Sequence, residues 1–103
     1  MFTDDDLRQA LTECFVPALR RDVVAAGLVR SASVRLDADA PGAGIVGVPA
    51  RFVARVVLTA PGADEAVNGQ TLAAVENRLL GLAAISRVEV TMQPALFPIL
   101  GGR

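Results

Sequence analysis

Apolar positions recur along the chain with two different periods, and the switches between them mark its elements. Leu7, Ala10, Leu11 and Cys14 repeat at helical spacing and form one stripe. Ahead of them Thr3 stands where an N-cap would, with Asp6 three residues on as the acid of a capping box. Asp4 and Asp5 suit the positive end of the helix dipole. Phe2 and Leu7 have the spacing of a hydrophobic staple. Pro17 disfavours helix at Val16. That predicts the end of the first helix near Phe15, with another helical turn within Ala18 to Ala26 before Gly27.

The period then drops to two. From Leu28, the run LVRSASVRLD places Leu28, Ala32, Val34 and Leu36 on one face, with Ser31, Ser33, Arg35 and Asp37 opposite. From Arg51, RFVARVVLTA gathers Phe52, Ala54, Val56 and Leu58, with Arg51, Arg55 and Thr59 on the other side. Such alternation predicts a sheet covered on one face only. Between the runs, ADAPGAGIVGVPA is a Gly/Pro loop too long for a two-residue hairpin turn.

Pro61-Gly62 breaks the second strand, and Asp64 is placed to cap a second helix whose stripe is Leu72, Val75, Leu79 and Leu82. Gly69 weakens that helix by about 1 kcal/mol relative to Ala. A last strand, Ile85 to Met92, alternates with Val88, Val90 and Met92 on one side. The predicted class is α/β, an α+β two-layer arrangement ordered helix-strand-strand-helix-strand. Two helices cover one face of a three-stranded sheet. The expected core is Leu11, Val34, Phe52, Val56, Leu58, Val75, Leu79 and Val90. One domain spans residues 1–93, and residues 94–103 form an apolar Pro/Gly tail suited to packing on the sheet, docking or dimerisation.

Composition narrows the chemistry. The 103 residues include no His, no Lys and one Cys, and ten Arg stand against eleven acids for a net charge of −1. Without His there is no Ser-His-Asp or Cys-His pair. One thiol makes neither a four-ligand zinc site nor an internal disulfide. Without Lys no Schiff base forms and no P-loop is complete. The charge balance argues against nucleic acid as a partner. The longest uncharged run is too short and too Pro-broken to span a bilayer. The expectation is a reduced, cytoplasmic, non-enzymatic domain without a cofactor.

Two strings invite more chemistry than their context supports. Gly42 to Gly47 spells GxGxxG, but a dinucleotide site needs a strand before it and a helix opening on it, and here a strand follows. The embedded GxxG, Gly44 to Gly47, belongs between two helices in a KH-type RNA clamp, which leaves KH-like RNA binding as a weak alternative. Cys14 lies on the apolar stripe, where a free thiol acts as a small hydrophobe. It is the one weak metal candidate, and a cluster or metal carrier using Cys14 in an oligomer is the alternative function.

TECFVPALRRDVVAAGLV, LTAPGADEAV and AISRVEV together resemble the small iron–sulphur cluster assembly domain. That domain is found in SUF-associated and phenylacetate-degradation proteins, and at the N-terminus of Mrp/ApbC-type P-loop ATPases. The resemblance runs from about Leu7 to Val90. It carries over Pro17, Asp22, Gly27, Leu28 and Val29, then Leu58, Thr59, Pro61 and Asp64. Val16 and Ala18 stand in place of the family's two acids, and Ala63 in place of a frequent Cys. The resemblance thus implies an accessory module without cluster ligands of its own. Pro17, Asp22, Gly27, Thr59, Pro61 and Asp64 would recognise a protein partner of an iron–sulphur assembly or related pathway, an ATPase among the candidates. A homodimer is compatible with this reading.

Overall fold

The computed structural model describes residues 2–94, so the tail beyond Pro94 lies outside the described residues. Helix α1 spans Asp4–Leu11 and opens on the expected capping box: Asp6 N–H donates to Thr3 Oγ1 at 3.2 Å and Thr3 N–H to Asp6 Oδ2 at 2.9 Å. Leu7, Ala10 and Leu11 are buried. The helix stops four residues short of the expected end. Thr12 turns its hydroxyl back to the Gln9 carbonyl at 2.6 Å, and the chain leaves as an extended segment.

That segment forms a hairpin the sequence reading did not contain. Strand β1, Phe15–Val16, pairs antiparallel with β2, Arg21–Asp22, around a corner that begins at Pro17. Arg20 adopts φ +54 to close it. Proline cannot donate an N–H to a continuing helix, and a hairpin corner asks for none from it. The helical turn expected in 18–26 shrinks to residues 23–27. Asp22 Oδ1 accepts from Val24 and Ala25 N–H at 2.9 and 2.8 Å, and Ala26 N–H donates to the Asp22 carbonyl at 2.9 Å. Gly27, at φ +72, ends the turn in the left-handed region that suits glycine.

Strands β3 (Val29–Leu36), β4 (Phe52–Thr59) and β5 (Ile85–Gln93) form one sheet in the order β3-β4-β5. β4 is central, antiparallel to β3 and parallel to β5. A parallel neighbour demands a crossover, and α2, Glu65–Leu80, supplies it. Both helices lie on one face, so the fold is the two-layer α+β arrangement the hydrophobic pattern predicts. Ala32 of β3 and Phe52, Ala54, Val56 and Leu58 of β4 join Leu7, Leu11, Val75 and Leu79 in the core.

Four apolar positions depart from the expected pattern. Val34 and Val90 are half-buried on the two edge strands, while β4 is enclosed between α1, which packs on β3, and α2, which packs on β5. Leu36, at the outer end of β3, is 59% exposed. In α2 the buried line is Thr71, Val75 and Leu79, with Leu72 on its flank. Thr71 is accommodated there because its hydroxyl donates to the Val67 carbonyl at 2.8 Å. No helix among the described residues is long and apolar enough to cross a membrane.

The loop between β3 and β4 is anchored at its base by Asp37, which is buried. Its N–H donates to the Arg51 carbonyl at 2.9 Å, Oδ1 accepts from Asp39 N–H at 3.0 Å, and Oδ2 accepts the Ser86 hydroxyl at 2.6 Å. Gly42, Gly44 and Gly47 all have positive φ. Gly42 is the tightest, since a Cβ there would meet a Val48 methyl at 2.9 Å. The glycines of GxGxxG therefore serve a folded loop between antiparallel strands. Neither the βαβ setting of a dinucleotide site nor the helix pair of an RNA clamp is present around them.

Two predictions follow from this packing. Phe52 is buried and its ring lies 6.4 Å from that of Phe2, in a core otherwise built of small aliphatics. Phe52→Ala should cost about 3–5 kcal/mol in urea unfolding. For Asp37, the Ser86 hydrogen bond holds the carboxyl below its ordinary 3.8 against the opposing effect of burial. A depressed acid stabilises the fold above its unfolded pKa and loses that contribution as pH falls through the folded one. The urea midpoint of Asp37→Asn should thus lie below wild type at neutral pH, and the gap should narrow in acid.

Candidate functional site

The resemblance-derived residues converge on one end of the sheet, where β3 begins and β4 and β5 finish. Gly27 ends the short turn that delivers Leu28, and Thr59 N–H donates to the Leu28 carbonyl at 2.7 Å. On the other side of β4, Ala60 N–H donates to the Gln93 carbonyl, also at 2.7 Å. This end of β4 is thus tied to both neighbours just before the chain turns through Pro61, Gly62 and Ala63 into α2. The turn is fastened from inside the helix as well, since Asn68 Nδ2 donates to the Gly62 carbonyl at 3.0 Å.

Both acids of the set are occupied. Asp64 is the N-cap of α2, its Oδ1 accepting from Ala66 N–H at 2.9 Å and Val67 N–H at 3.3 Å. Asp22 caps the 23–27 turn in the same manner. A helix N-terminus attracts anions through its free N–H groups. Here a carboxylate of the chain already sits on them, so an incoming anion would meet negative charge. The surface the turn offers is instead small and rigid, with Gly62 and Ala63 exposed beside Asp64 and Glu65.

Pro17 is the outlier. It is exposed at the corner of the β1–β2 hairpin, where its carbonyl accepts from Arg20 N–H at 3.2 Å. The hydrogen bonds that draw Gly27 and Thr59 together do not include it. Val16 is buried and Ala18 is exposed beside it.

Cys14 lies beneath this hairpin. It is buried, with Sγ 3.9 Å from the Ala10 carbonyl, and its own carbonyl accepts from Val23 N–H at 3.0 Å. Burial pushes the thiol from its ordinary 9.0 up to about 11, against the lowering effect of Arg78, with Glu13 and Asp22 adding to the rise. The thiolate is the form that attacks and ligates, so this side chain is inert at neutral pH. No group of three or more His, Cys, Asp or Glu among the described residues is arranged to hold a metal ion.

Sequence reasoning missed two polar groupings that span the three-stranded sheet, because neither is local in the chain. One is the Asp37–Ser86 pair. The other is a row of charges on the uncovered side of the sheet, where Glu89 meets Arg55 at 3.1 Å and Arg35 at 3.6 Å. The alternation had put Arg35 and Arg55 on that side. Only the strand register brings Glu89 between them.

A raised thiol pKa stabilises the folded state below the unfolded value and is lost as pH rises through the folded one. The Cys14 contribution is therefore complete below 9.0 and disappears on passing about 11. Iodoacetamide should leave Cys14 unlabelled in the native protein at neutral pH and label it fully in urea. Rapid native labelling would contradict the burial.

Comparison with models of known protein families finds no match, and comparison with curated protein sequences finds none either.

Proposed function

We propose that this chain is a cytoplasmic, non-enzymatic accessory domain that recognises a protein partner through the 59–64 turn, in the manner the resemblance to iron–sulphur cluster assembly domains implies. The observation that carries the reading is the Leu28–Thr59 hydrogen bond. It places the turn ending at Gly27 against the turn opening at Thr59 and so makes one continuous edge from two distant segments. Rigidity is what such an edge needs, because a preformed surface loses little entropy on association. The capping by Asp22 and Asp64 and the Asn68 clasp supply it.

Chemistry of the side chains supports recognition over catalysis. The edge holds no nucleophile beyond the Thr59 hydroxyl, no His and no Lys, and its acids are engaged as caps. A carrier role through Cys14 gains no support from a buried, protonated thiol. The partner expected is a protein of an iron–sulphur assembly or related pathway, a P-loop ATPase among them.

Gly62 allows a clean test, because a Cβ built there meets nothing within 4 Å and the fold should tolerate a large residue. Association with the scaffold and P-loop ATPase proteins of the host's cluster-assembly pathway should be measured by calorimetry. Gly62→Arg and Ala63→Arg should weaken binding by at least about tenfold, as expected for disrupting a central contact, with the thermal midpoint unchanged. Binding indifferent to both substitutions would overturn the reading.

A further inference from the structure

We infer that the uncovered face of the sheet is a second docking surface, and that its occupant is an extended, carboxylate-rich segment of a protein partner. The observation is a separation of charge that the net value of −1 conceals. The three strands of the large sheet carry Arg30, Arg35, Arg55 and Arg87 against Glu89 alone. The helices carry Asp4, Asp5, Asp6, Glu65 and Glu76 against Arg8 and Arg78. One side of the molecule is basic and the other acidic.

Register sets the spacing of the basic groups. On the face away from the helices, Val53 is flanked directly by Arg35 on β3 and Arg87 on β5. Val53 is only 1% exposed although no helix covers it. Arginine stems flanking it on both sides account for that, since they pack along apolar surface and leave the guanidinium in water. Two residues along β4, the next row runs Ser33, Arg55 and Glu89. Glu89 is shared between Arg55 and Arg35, and Arg87 makes no ion pair among the described residues. The face therefore carries three arginines against Glu89 on the strands and the Asp37 carboxylate at its rim, where Arg87 and Arg35 act on Asp37 through charge.

The two arginine rows lie two residues apart along the strands, about 7 Å. An extended chain with an acid at every second residue presents carboxylates on one side at that same interval. Guanidinium groups bind carboxylates through paired, charge-assisted hydrogen bonds. The chemistry disfavours other occupants. Single-stranded nucleic acid needs aromatic platforms, and the one Phe of the three-stranded sheet, Phe52, faces the helices. A second copy stacked face to face would set Arg against Arg. This inference does not rest on the 59–64 reading, and its test uses other residues.

The test is fluorescence anisotropy of the whole chain with a labelled peptide of alternating Glu and Val, at low and high salt. Saturable binding that weakens with salt is expected. Arg87→Glu and, separately, Arg35→Glu should each weaken it by at least about tenfold, and Arg87→Lys by less. Arg8→Glu, at an exposed position of α1, makes the same change in net charge and should leave binding within about twofold. Equal losses in Arg8→Glu, or no saturable binding, would overturn the proposal. So would tighter binding of a poly-dT oligonucleotide, or sedimentation showing self-association that Arg87→Glu abolishes. Unchanged circular dichroism in each variant separates loss of binding from loss of fold.

Discussion

Everything in this fold hangs on a central strand that is antiparallel to one neighbour and parallel to the other. β4 reaches β3 through a loop, but its parallel pairing with β5 requires the chain to travel back the length of the sheet. α2 makes that journey over β5, and together with α1 over β3 it encloses Phe52, Ala54, Val56 and Leu58 in the core. The crossover also dictates where a turn must fall. The chain has to leave β4 at Thr59 and enter a helix within a few residues, so a capped, rigid turn at that end of the sheet is a consequence of topology. The candidate edge inherits its position from this constraint, and Asp64 inherits its role as a cap.

The helices, the three long strands and their burial were legible because each writes its period into the sequence over eight or more residues. Thr3 and Asp6 announced α1, and Asp64 announced α2, through side-chain oxygens that cap free backbone donors. The stretch after α1 was not legible in the same way. Phe15–Val16 and Arg21–Asp22 are too short to show alternation, and their pairing depends on a left-handed Arg20 that no pattern marks. Asp22 and Gly27 did carry a signal, a cap and a terminator five residues apart. It fits one turn of helix and nothing longer. At the candidate edge, the residues themselves were visible in sequence, whereas the bond that joins them runs between backbone atoms of Leu28 and Thr59 and leaves no trace in side-chain chemistry.

Small side chains shape the rest. With four Phe and no Trp or Tyr in the chain, the core is made mostly of Ala, Val and Leu around Phe52, and the layers must lie close to fill it. Polar anchors then fix what apolar contact leaves loosely oriented. Asp37 joins the end of β3 to the start of β5 through Ser86, across the start of β4, and so holds the mouth of a long loop that exposes Ile45 and Val46. Glu13 and Arg78 form an ion pair between the segment after α1 and the last turn of α2.

A sheet covered on one side only has to solve a problem on the other. Bare strands with apolar outward residues would aggregate, and native sheets commonly place charge there instead. This chain does so almost entirely with arginine, which buries Val53 under its stems while keeping its heads in water. Balanced pairs of Arg and Glu would have served solubility equally well, as the Arg55–Glu89 contact demonstrates. Three arginines against Glu89 and the rim acid Asp37 leave a positive excess, and such fields steer charged partners toward a surface. Thr59 lies on the same outward face as the arginine rows, four residues along β4 from Arg55 and paired with Gln93. Under the two proposals taken together, a partner reading the turn with one segment reaches the arginine rows by running its next segment along the strands.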